Sequence, residues 1–244
     1  MTFKTQQLLL SLISLLIPLQ SAYSEQLFIG EGQPAQLVEL YTSEGCSSCP
    51  PADQYLSTLK STPELWQKVV PMAFHVDYWD YLGWKDPFAQ TQFKQRQYDY
   101  QKLGNSSGIY TPGWFINGKE WRGFFQRQAI PSNTATKGGT LLAKLNANTL
   151  SIHYQTEKKH KNLTINVALL GFDQYSQIHA GENRGRSLNH QFVVLHKAHK
   201  TNKNYDWKFT LPPWNRSKQH ALAIWVHSTD LVPIQVAAGW IKNI

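Results

Sequence analysis

The chain has 244 residues, 41% of them hydrophobic, two cysteines and a formal net charge of +8. A chain of this length can bury a full core in one or two domains, whereas two cysteines exclude a disulfide-stapled scaffold and a four-cysteine zinc site. The positive charge is uneven: residues 25–145 carry 11 Lys+Arg against 11 Asp+Glu, and residues 146–244 carry 12 against 5.

Residues 1–24 read as a removable signal peptide. Lys4 supplies the positive region, residues 8–19 an apolar stretch too short for a membrane span, and Ala22-Tyr23-Ser24 a small-x-small cleavage site. No other long apolar run follows, so the mature chain is expected to lack a membrane span and to be periplasmic or secreted. Residues 25–36 read as a polar leader into the first strand.

Next comes the stretch that organises the rest. An apolar run at 37–41 predicts a buried strand, and Ala52, Tyr55, Leu56 and Leu59 recur at helical spacing. Between them lie Cys46 and Cys49. Strand, Cys-x-x-Cys, helix is the thioredoxin-type redox arrangement, with Cys46 as attacking thiol and Cys49 as resolving thiol. A helix N-terminus lowers a thiol pKa and so activates it. Glu44 nearby would oppose that effect, and Pro50-Pro51 places Cys46 just outside the helix. The rival reading is a permanent local disulfide.

A second strand is expected at 69–76, parallel to the first, and ends in His75, Asp77, Trp79 and Asp80. Active sites in open α/β sheets gather at such strand ends, which makes Asp77 and Asp80 candidate acid–base groups and Trp79 and Trp84 a docking surface. His75 reads instead as a core histidine, and Asp80 also fits a turn or cap. Asp86-Pro87 signals a helix over 86–103. Residues 109–125 predict a strand, an Asn117-Gly118 hairpin turn and another strand. Pro131 and Gly138-Gly139 leave only a weak helix in 126–146. From Leu150 onward, short alternating runs at 150–154, 163–170, 191–196, 207–211, 221–227 and 233–240 predict an all-β module.

Four segments carry a family resemblance: residues 38–53 around Cys46 and Cys49, residues 74–88 beginning Phe74-His75, Tyr110-Thr111-Pro112, and Gly181-Glu182-Asn183-Arg184-Gly185-Arg186. Together they resemble the secreted bacterial proteins of domain-of-unknown-function family 1223. The resemblance implies a thioredoxin-like N-terminal domain and Gram-negative export, and it names no substrate. In the thioredoxin-like pattern it implies, a cis Thr111-Pro112 bond faces the cysteines, with an ordinary trans proline at a strand start as the alternative. Glu39 resembles the buried carboxylate that relays protons to a resolving thiol, with an outward-facing strand position as the alternative.

The fold class expected is therefore α/β: a thioredoxin-like domain at 34–146, followed by a small β-sandwich-like module at 147–244. The function expected is a thiol–disulfide oxidoreductase of reductase or isomerase type, acting on protein thiols or disulfides of the envelope without metal or organic cofactor. The alternative is a non-catalytic periplasmic binding protein with a structural Cys46–Cys49 disulfide and an aromatic groove at Trp79, Trp84 and Trp114. Arg184 and Arg186 flank a glycine in a long connection and could grip a carboxylate or phosphate of an acidic partner. Nucleic acid is excluded as a partner, because the basic residues are scattered and no binding motif is present.

Overall fold

The structure, a computed structural model, describes residues 25–160 and 162–242. The signal peptide expected over residues 1–24 lies outside them. In chain order the regular elements are β1 (Gln26–Gly30), β2 (Gln36–Thr42), α1 (Pro50–Thr58), β3 (Val69–His75), α2 (Thr91–Lys102), β4 (Gly113–Ile116), β5 (Lys119–Glu120), β6 (Thr140–Asn146), β7 (Thr149–Gln155), β8 (Leu163–Gly171), β9 (Gln174–Gln177), β10 (Ser187–His190), β11 (Val193–Asn202), β12 (Asp206–Thr210), β13 (His220–His227) and β14 (Pro233–Trp240).

These strands make a mixed eight-stranded sheet, β14-β13-β8-β11-β3-β2-β4-β5, a four-stranded sheet, β1-β6-β7-β12, and the β9–β10 hairpin. β2 and β3 are parallel, as the sequence suggested, with Thr42 opposite His75. β3 then meets β11 in parallel at Ala73 and Val193, and the amide of Ala73 donates to the carbonyl of Phe192. Strands from both halves of the chain thus share one sheet, which runs across the change of pattern near residue 146.

The expected α/β, thioredoxin-like class is overturned by this arrangement. The described residues are mostly β, with two α-helices, and beyond β3 the central sheet continues into β11, β8, β13 and β14, which pair antiparallel with one another instead of forming further helix-covered parallel strands. The cause lies in two places. Residues 127–139, where another helix would have to form, hold Pro131, Gly138 and Gly139 and run without regular structure. The β8 and β13 strands, meanwhile, are apolar on both faces. Leu163, Ile165, Val167, Leu222, Ile224 and Val226 pack against the four-stranded sheet. Ala168, Leu170, Ala221, Ala223 and Trp225 join the core beneath β2 and β3. A strand buried on both faces belongs inside a larger sheet.

Smaller departures have local reasons. The polar leader at 25–36 contains β1, which pairs antiparallel with β6. The helix expected from Asp86 begins at Thr91 with Gln90 as its cap, because Asp86 is turned inward to other partners. The strand expected over 119–125 stops at Glu120 and gives way to a 3-10 turn at Gly123–Gln126.

Candidate functional site

Cys46 and Cys49 lie in the turn between β2 and α1 and form a disulfide, with their Cα atoms 5.5 Å apart. The local sequence accounts for the shape of the turn. Gly45 is needed because a Cβ there would come within 2.9 Å of the Trp79 Cβ. Cys49 is the N-cap of α1, and Pro50 and Pro51 open the helix. The helix N-terminus offers little to a thiolate at Cys46. The two prolines have no N–H, and the amides of Ala52 and Asp53 both donate to the Cys49 carbonyl. The polar neighbours of the Cys46 Sγ are the Ser48 hydroxyl at 3.3 Å and the Thr111 carbonyl at 3.9 Å. The Thr111-Pro112 bond is cis.

Both cysteines are nearly sealed, with 1% of Cys46 and none of Cys49 exposed; only the intervening Ser47 and Ser48 reach solvent. The 181–186 segment, in the connection from β9 to β10, is hydrogen-bonded to the cysteine turn. The Asn183 Nδ2 donates to the carbonyls of Glu44 and Cys46 at 2.8 and 2.9 Å. The Glu182 carboxylate accepts from the Ser47 amide at 2.9 Å. The strap is held in shape by its own bonds, Ile178 to Arg186 and Gly185 to Ile178, with Gly185 at φ +84. Its work falls to Asn183 and Glu182. Arg186 donates to the Asn183 Oδ1 at 2.9 Å, and Arg184 is exposed.

The remaining expected residues fall in several places. Glu39 is buried, but on the face of β2 turned to α2. Arg96 clamps it with two bonds at 2.8 and 2.9 Å, and the hydroxyls of Tyr100 and Tyr41 complete its shell at 2.6 and 3.0 Å. Burial alone would raise its pKa, yet Arg96 and the two tyrosines bring it below the usual carboxylate range. Thr42 lies three residues on and faces α1 instead, where its hydroxyl donates to Asp53. Glu39 is thus separated from α1 by the sheet. Asp77 accepts from Thr91 and pairs with Lys94 at 3.0 Å. Asp80 accepts from the Asp86 amide, the turn role weighed for it. Trp79 donates to the Thr111 hydroxyl and Trp84 to the Glu44 carboxylate, each at 2.7 Å. Trp114 is buried in the core against Tyr55, Trp121 and Phe124. The three tryptophans therefore do not line a single open groove.

Behind the disulfide lies a cluster that the sequence reading did not assemble. The His75 Nδ1 is 2.8 Å from the Asp86 carboxylate. The His190 Nε2 is 3.1 Å from Glu44, and its Nδ1 is 3.9 Å from Asp53. The two imidazole rings meet edge to face, with centroids 4.9 Å apart. Burial would lower the His75 pKa, but Asp86, Asp53 and Glu44 raise it overall. Burial likewise raises Asp53, against the pull of His190 and His75. Asp53, His75 and His190 each place one donor atom within 4.8 Å of the others. Glu44 binds Trp84 and His190, so its carboxylate is engaged away from the thiols. In the sequence, His75 and Asp86 stand close together, but His190 arrives only through the β9–β10 hairpin. No local pattern announces it.

Residues 37–227 match the family described as protein of unknown function (DUF1223). No curated protein matches the chain. Two solved structures share its fold. A protein of Agrobacterium tumefaciens is 23% identical with a TM-score of 0.57, over 87% of this chain and 96% of its own. HBP35 of Porphyromonas gingivalis is 13% identical with a TM-score of 0.53, over 87% of this chain and 76% of its own. Among the described residues no helix is long and apolar enough to cross a membrane.

Proposed function

We propose that this chain, which belongs to the family of proteins of unknown function DUF1223, is an exported thiol–disulfide oxidoreductase working through Cys46 and Cys49 on proteins of the bacterial envelope. The observation that supports it is the setting of the pair. A disulfide spanning one short turn sits at the strand-to-helix junction, with the Cys46 sulfur against the Thr111 carbonyl and beside two exposed serines. In the dithiol form, the Cys46 thiolate attacks a substrate disulfide and expels one substrate thiolate, giving a mixed disulfide. The Cys49 thiolate then attacks Cys46, releasing the second substrate thiolate. The substrate gains two electrons, and the pair returns to the disulfide state described above. With few helix N–H groups free for Cys46, the Ser48 hydroxyl is the donor placed to steady its thiolate.

The burial of both sulfurs favours a second reading, in which the disulfide is a permanent clip under the 181–186 strap. Redox titration against glutathione separates the two. A working pair equilibrates at about −120 to −270 mV, and a clip lies below about −300 mV. A potential in the lower range, together with no mixed disulfide trapped by Cys49→Ala, would sink the oxidoreductase reading.

A further inference from the structure

Among the buried polar atoms with no hydrogen-bond partner are the His75 Nε2 and the His190 Nδ1. Both rings are sealed: His75 is wholly buried and His190 2% exposed. A buried imidazole nitrogen without a partner is costly. Here two converge on one cluster, and in both rings the opposite nitrogen is fixed by a buried carboxylate, Asp86 for His75 and Glu44 for His190. That is the arrangement found in metal-binding histidines. One nitrogen is held by an acid that sets the tautomer and ring angle, and the other is left for the ion.

Charge points the same way. Glu44, Asp53 and Asp86 bring three carboxylates into a dry space, and among the described residues no lysine or arginine pairs with any of them. Two neutral imidazoles, the form that ligates a metal, bring no positive charge to that space, and buried anions need compensation. A divalent ion supplies it. We propose that Asp53 of α1, His75 of β3 and His190 of β10 are the protein ligands of a buried divalent transition-metal ion, bound through the free nitrogen of each ring and the Asp53 carboxylate. Two nitrogens and one oxygen suit Zn²⁺ or Fe²⁺ in preference to Ca²⁺ or Mg²⁺. The site is independent of the cysteine chemistry, because neither sulfur is a ligand. Asp53, His75 and His190 already place one donor atom each within 4.8 Å of the others, and the His190 Nδ1 lies 3.9 Å from the Asp53 carboxylate; with the ion bound the donors would lie about 3.3 Å apart, the edge of a tetrahedron with bonds of about 2.0 Å.

The test uses the full mature chain, tag removed, freed of metal by chelation and kept oxidised so that the thiols cannot bind. Zn²⁺ titrated against a chromophoric competitor should bind one per chain with sub-micromolar affinity, and Co²⁺ should give the visible bands of a low-symmetry four- or five-coordinate site. His190→Ala and Asp53→Asn should each weaken Zn²⁺ by at least about 100-fold, and Glu44→Gln by about 10- to 100-fold. Cys46→Ser/Cys49→Ser should bind as the parent does. Near-UV circular dichroism identifies any variant that fails to fold, and the unmutated chain gives an answer by itself. If the folded parent takes up neither ion, or if folded His190→Ala and Asp53→Asn bind as tightly as the parent, the proposal is wrong.

Discussion

β2 and β3 carry an ionic cluster on each face, and the two are finished to different degrees. On the α2 side, Glu39 has a bidentate guanidinium and two tyrosine hydroxyls, so both of its oxygens are occupied. On the α1 side, two histidines and three carboxylates come together and leave two ring nitrogens bare. The same pair of strands and the same depth of burial give one closed knot and one open socket. A buried polar network that is fully satisfied rigidifies a core, whereas one left unsatisfied points to something yet to be bound or moved.

The comparison breaks first at Glu39. Glu39→Ala would strand the Arg96 charge in the core and should destabilise the fold by about 3–5 kcal/mol, read by denaturant unfolding. Glu39→Met with Arg96→Met should recover most of that loss, because both charges leave together. Neither change should move the Cys46–Cys49 potential. A moved potential would mean that the two faces are coupled and that Glu39 serves the thiols after all.

Lys197 sharpens the picture of the closed side. It lies beside Arg96, Glu39 and Asp99, and burial followed by Arg96 pushes its pKa down to about 7. The unfolded chain keeps this lysine protonated well above that value, so the unfolded state binds the extra proton. Stability should therefore rise between about pH 7 and 9, by up to about 1.4 kcal/mol per unit from this residue. Lys197→Met should flatten that slope; an unchanged slope would place its origin elsewhere.

On the open side the expected effects on stability are smaller and those on access larger. Asn183→Ala removes two hydrogen bonds from the cysteine turn and should cost about 1–2 kcal/mol. It should also speed reduction of Cys46–Cys49 by dithiothreitol. No acceleration would show that the strap does not limit access. Smallest of all, Arg184→Ala should stay within about 0.5 kcal/mol of the parent, as exposed substitutions do. A larger loss would give that side chain a structural task.

What could be read from the sequence followed the range of its patterns. The run at 37–41, the apolar stretch at 69–76 and the turn at Asn117-Gly118 are local signals, and each lies in or beside the strand it suggested. The Cys46–Cys49 pairing was legible from spacing alone. The class of the fold was not, because it depends on β3 pairing with β11, and nothing near Ala73 encodes Val193. The same holds for the histidine cluster. His75 looked like an ordinary core residue because its neighbours give no hint of His190, and Asp86 looked like a helix cap because Asp-Pro usually is one. Asn183 carries no signal of its own in the sequence, because a short neutral amide beside Arg184 and Arg186 has neither charge nor spacing to mark it.

The junction at Ala73 and Val193 also sets an order of events for the nascent chain. The exposed edge of β3 cannot be closed until β11 has been made, long after β2, α1 and β3 have left the ribosome. Until then the first half of the protein is a sheet with a raw flank, unable to settle. The same delay leaves an unpaired edge that a second copy could join. A fragment ending near residue 146 should therefore aggregate, however sound its own helices and strands.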